Sequence, residues 1–177
     1  MFDFAEVLDA TEDVTVELKG HPIVCSVFVA GYERIPYDDQ MRLAELHDKA
    51  SPIQEQLIPL EAQLESLNGD NPERRAELET QITPLRRQNR QHTIEISRQL
   101  VPLAVKQWTY EGEPLQYHGD CPPSECQRLP DDFVMEVAAK AGEVWSKNQK
   151  KDLKPSGSEV EASADGLQAE STSLSND

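Results

Sequence analysis

Between Leu43 and Leu103, apolar residues recur at alternating steps of three and four, the spacing of a single helical face. Leu43, Leu46, Ala50, Ile53, Leu57, Leu60, Leu64 and Leu67 form a first seam without a miss. A second, less regular seam runs through Leu78, Ile82, Leu85, Asn89, His92, Ile96, Leu100 and Leu103. Between them lies Asn68-Gly69-Asp70-Asn71-Pro72, a turn with proline placed for a first helical position. The pattern predicts a long, coiled-coil-like antiparallel helical hairpin over residues 38–107.

The two seams match in antiparallel register. Leu67 falls opposite Leu78, Leu64 opposite Ile82 and Leu60 opposite Leu85, continuing to Leu43 opposite Leu103. The first arm is mostly acidic, whereas the second carries Arg74, Arg75, Arg86, Arg87, Arg90 and Arg98. Opposite charges beside a seam help choose orientation. Asn89 opposite Leu57 and His92 opposite Ile53 are poor pairs, marking a slip or a place where another chain enters. Asp38 or Asp39 can cap the first arm. Ser51-Pro52 offers a second start, so the arm could break there. Pro59, Pro84 and Pro102 also lie inside the periodic stretches, where a proline costs roughly 3 kcal/mol or bends the helix. The seam keeps phase through all of them, which predicts kinked helices rather than loops.

The flanks read differently. Residues 1–37 suggest a β-hairpin unit: Val14 to Leu18 alternates, Lys19-Gly20-His21-Pro22 turns, and Ile23 to Val29 is rich in β-branched residues. Such a hairpin is marginal alone, and a second stripe of Ile94, Val101 and Val105 is the surface expected to receive it. Residues 108–151 form a C-terminal segment. Its aromatic-to-turn stretch, Trp108 to Leu115, is expected to pack on the hairpin base. A helix opens near Pro130-Asp131-Asp132, with Phe133 or Val134, Val137, Ala138, Ala141 and Trp145 on one face. Lys147, Lys150 and Lys151 suit the negative end of its dipole. Residues 152–177 are polar and acidic, with the composition of a disordered tail. The expected fold is therefore mainly α with a small N-terminal β-hairpin.

Candidate chemistry is sparse. His118, Cys121 and Cys126, with Cys25 or His21 as a fourth ligand, match no standard zinc spacing. An odd count of three cysteines argues against a disulfide framework. Phosphate-cradling loops and zinc-protease motifs are absent from the sequence, so neither enzyme activity, cofactor nor metal is expected. With 33 acidic against 17 basic residues the net charge is −16, which repels nucleic acid and anionic membranes. The arginine run is read as a salt-bridged helix face. Trp108, Tyr110, Phe133, Val137 and Trp145 are the expected partner-binding residues, because aromatics anchor interfaces. Burial of the same residues in a core is the competing reading.

Gln107-Trp108-Thr109-Tyr110-Glu111-Gly112-Glu113-Pro114-Leu115, followed by Leu129-Pro130-Asp131-Asp132-Phe133 opening a last helix and by a polar tail, resembles the tail assembly chaperones of long-tailed bacteriophages. The β-rich start from Val14 to Val29 is similar in style. The resemblance implies a non-enzymatic protein of the host cytoplasm. It would bind the phage tape-measure protein, assist tail-tube protein assembly, and leave the finished particle. Self-association is compatible with it. The long hairpin departs from compact members and would be an extra docking arm. A minor tail protein retained in the virion and a bacterial coiled-coil adaptor remain the alternatives.

Overall fold

The computed structural model describes residues 7–67 and 71–152, with side chains described as far as Gln149. The expected tail falls almost wholly outside these residues. Strand β1 (Thr11–Leu18) and strand β2 (His21–Phe28) form the expected hairpin. Helix α1 (Tyr37–Ser66) and helix α2 (Pro72–Ala104) form the arm. Strand β3 (Val105–Tyr110), the short β4 (Glu113–Pro114) and helix α3 (Asp131–Asp152) complete the chain.

The hairpin closes on Lys19 and Gly20, both at positive φ (51° and 83°). That is the two-residue turn whose twist matches paired strands, and Gly20 adopts it without steric penalty. The aromatic-to-turn stretch expected to pack on the hairpin base is built as two strands around a turn. β3 pairs antiparallel with β2, giving a four-stranded sheet in the order β1-β2-β3-β4. α2 passes into β3 without a linker: the N–H of Val105 still bonds to the Val101 carbonyl, after which the backbone extends. Residues 11–28 and 105–145 thereby share one core. Val16, Ile23, Cys25 and Val27 of the hairpin cluster with Val105, Trp108, Phe133, Val137 and Trp145.

The receiver of the hairpin also differs from expectation. α3 covers β1 and β2, and it packs as well on α2. Val101 and Val105 are buried in this same cluster, but Ile94 is only half-buried. The broad apolar face of α3 outcompetes the narrow stripe on α2 as a lid for the sheet. Arg98 fixes the junction. Its guanidinium donates to the carbonyls of Cys126 (2.7 Å) and Leu129 (3.0 Å) and to the Asp131 carboxylate (2.6 Å). Arg98→Met keeps the stem but removes all three bonds. The Cys126 carbonyl keeps the Leu129 N–H at 3.0 Å and Asp131 turns to water, so urea denaturation should show a loss of about 2 kcal/mol.

The arm's ends follow the sequence at one end only. Asn71 caps α2, accepting from the Arg74 N–H at 3.0 Å, with Pro72 in the first turn. α1 starts earlier than expected: Pro36 takes the cap position, and Asp38 and Asp39 lie in the first turn, where they face the positive end of the dipole. Neither helix breaks at Ser51-Pro52 or at any internal proline. Pro52, Pro59 and Pro84 are exposed, so their rings leave the seam undisturbed. Ser51 and Thr83, each preceding a proline, donate their hydroxyls to the carbonyls of His47 (3.0 Å) and Glu79 (2.6 Å).

Candidate partner-binding surface

The two helices of the arm enclose their seam unevenly. Leu57, Leu78 and Ile82 are sealed between α1 and α2 as a second small core. Leu60, Leu64, Leu67 and Leu85 pack against that cluster while remaining only partly buried. α1 packs chiefly on α2. Beside the seam, Ile58 is 65% exposed, and Met41 and Tyr37 lie exposed on the same helix. Towards the body the seam is better covered, with Leu43, Leu46 and Ala50 all buried.

Asn89 and His92 are both half-buried on α2. Gln54, from outside the seam, donates to the Asn89 side-chain oxygen at 3.5 Å. His92 keeps Nδ1 buried without a hydrogen-bond partner. Leaving that nitrogen unsatisfied costs stability. His92→Leu should therefore raise the arm's stability by about 1–2 kcal/mol, read as a higher thermal midpoint in circular dichroism. A lower midpoint would mean that the ring makes a contact worth more than the lost hydrogen bond.

Charge pairing across the arm is thinner than the opposite signs imply. Arg86 bonds Glu61 at 2.7 Å between the helices. Arg74 and Arg75 pair within α2, with Glu77 and Glu79. Arg90 and Arg98 reach across to Asp132 and Asp131 of α3. The exposed pairs contribute little to stability.

The residues expected to bind a partner are mostly interior. Trp108, Phe133, Val137 and Trp145 are buried. The Trp108 indole N–H donates to the Cys121 carbonyl, and its ring lies 5.8 Å from that of Phe133. Trp145 donates to the Phe28 carbonyl at 2.7 Å and stacks edge-on with Tyr32. A buried N–H with a fixed internal acceptor is the signature of a core aromatic. Tyr110 alone of the five is half-exposed, with its hydroxyl 3.3 Å from His21 Nδ1. The surface that sequence reasoning missed is the flank of α1 carrying Ile58. One residue off the seam, it has no periodic signal of its own.

The thiols do not converge as ligands. Among the described residues, no group of three His, Cys, Asp or Glu side chains could hold a metal ion. Cys25, Cys121 and Cys126 are buried free thiols, whereas His118 is exposed. Burial, with a smaller contribution from Asp13, pushes the Cys25 thiol up to about 12. Burial also raises Cys121 and Cys126, against the opposing pull of Arg128 and Arg98 respectively. Such thiols are poor nucleophiles at neutral pH. No helix among the described residues is long and apolar enough to cross a membrane. Comparison with protein-family models, with curated proteins and with solved structures returns no match.

Proposed function

We propose that this protein acts without catalysis, as a phage tail assembly chaperone that holds the tape-measure protein along its arm and assists tail-tube protein assembly in the host cytoplasm. The observation that carries the reading is the arm's incompletely covered seam: partly buried Leu60, Leu64, Leu67 and Leu85, with exposed Ile58 beside them. An antiparallel coiled coil in this state can take a further amphipathic helix along its open side, the helix-in-groove mode of recognition. A long helical client presents such stripes repeatedly. The acidic charge of −16 would keep the complex dispersed. The sequence resemblance supplies the identity of the client.

Co-expression with a tape-measure protein tests the proposal. The client should shift from the pellet to the soluble fraction and co-purify with this chain. Unchanged client solubility would refute it. Mass spectrometry of purified particles separates the competing reading, because abundant retention in virions would make the protein a structural tail component.

A further inference from the structure

Among the described residues the sheet has one long open edge: there β1 pairs with β2 alone and stands at the end of the strand order. The two-residue turn makes Leu18 and His21 a hydrogen-bonded pair, so the ladder continues through Val16 with Ile23, Val14 with Cys25 and Glu12 with Val27. The bond from the Val29 N–H to the Ala10 carbonyl, at 2.9 Å, confirms that phase. Pro22, opposite Glu17, sits at a pair that exchanges no ladder bonds, as a proline must. The N–H and C=O groups of Thr11, Asp13, Thr15 and Glu17 consequently point away from β2, and their side chains are exposed.

Edges of this length are normally blunted by lysine, proline, a bulge or a covering element. β1 contains neither lysine nor proline. The irregularity in the sheet falls between β2 and β3, at Ser26 and Val27. β1 instead carries Glu12, Asp13 and Glu17 with no basic residue. Glu12 is engaged by Lys147 at 2.7 Å, while Asp13 and Glu17 lie exposed on the opposite side of the strand. There one Asp13 oxygen accepts from the Ser26 hydroxyl at 2.7 Å and the other is left to meet outside charge.

We propose that the β1 edge is a docking site for an extended, basic segment of another protein, which adds as a fifth strand beside Thr11 to Glu17. Main-chain bonds to the outward groups would hold it, and alternate Lys or Arg side chains would face Asp13 and Glu17. Charge decides the occupant. A second copy pairing β1 against β1 would bring acids together with no base to meet them. The chain's own ends are equally unsuited: residues 1–6 contain Asp3 and Glu6, and residues 153–177 contain Glu159, Glu161, Asp165, Glu170 and Asp177 against Lys154. This inference does not rest on the arm or on its proposed client.

Residue-resolved amide exchange on the full chain tests it, with a synthetic peptide of alternating lysine and threonine as the probe. In the free protein, the amides of Thr11, Asp13, Thr15 and Glu17 should exchange fast while those of Val14 and Val16 are protected. Saturating peptide should slow the four outward amides by about tenfold or more, since each gains a ladder bond. Glu17→Lys should weaken peptide binding by about fivefold, and added salt should mimic it. Thr15→Pro deletes the central outward N–H and should abolish binding. Both variants are accepted only if the near-ultraviolet tryptophan signal shows the core intact. Unchanged exchange with peptide would overturn the proposal. Equal protection by a glutamate–threonine peptide would do so too, as would outward amides already slow in the dilute free protein or slowed by raising its concentration alone.

Discussion

Trp145→Ala should lower the unfolding free energy by about 4 kcal/mol, measured by urea denaturation. The indole is only 6% exposed and fills the space between α3 and the end of β2. Removing it opens a cavity, leaves the Phe28 carbonyl without its N–H donor and takes away the ring against which Tyr32 packs. Gly31 depends on the same ring: a Cβ there would stand 3.2 Å from Trp145 Cγ, and its φ of +61° already favours glycine. Trp145→Phe should cost less, about 2 kcal/mol, because the ring's apolar contacts survive and the hydrogen bond does not. A partner-facing tryptophan would behave differently, losing binding with little change in stability. Stability unaffected by Trp145→Ala would therefore restore the interface reading of this residue.

Leu57→Asp combined with Leu60→Asp should destabilise the arm by about 4 kcal/mol or more. The arm's sealed cluster consists of Leu57, Leu78 and Ile82, with Leu60 packed against it, so the two substitutions put one carboxylate inside the apolar cluster and a second at its margin. The body has a separate core, in which neither leucine takes part. Far-ultraviolet circular dichroism should thus show a large loss of helix, while the near-ultraviolet signal of Trp108 and Trp145 persists. Full helicity in the double variant would contradict the seam itself. Loss of both signals together would mean that arm and body unfold as one unit.

The arm was legible because its information is local and periodic. Leucines at steps of three and four, an Asn-Pro start at Asn71 and a turn before it fix the helices' existence and direction with no knowledge of the rest. The third strand was not legible. Nothing in Leu103-Ala104-Val105-Lys106 announces that a helix ends, with neither glycine nor proline after the last turn, and the extended conformation of Val105 to Tyr110 is imposed by pairing with β2. The start of α1 slipped for a related reason: Asp38 and Asp39 suit both a cap and a first turn, and the geometry at Pro36 decided between them.

The proposed binding surface was harder still. An aromatic residue has the same identity in a core as at an interface, so Trp108, Phe133 and Trp145 could be assigned only once their neighbours were known. The open edge of β1 depends on strand order, and strand order depends on a strand about eighty residues away. The partial exposure of Leu60, Leu64 and Leu85 depends on how α1 and α2 pack along their length, which spacing alone does not give. That incomplete cover carries the functional reading.

A chain in which residues 54–91 are replaced by a short glycine–serine linker isolates that claim. It keeps Leu43, Leu46 and Ala50 together with the whole body core, and removes the half-open part of the seam. With the core verified by its tryptophan signal, this shortened chain is co-expressed with the tape-measure protein beside the full-length one. The account predicts that the full chain raises the soluble client and the shortened chain leaves it in the pellet. Equal client solubility with both chains would contradict it.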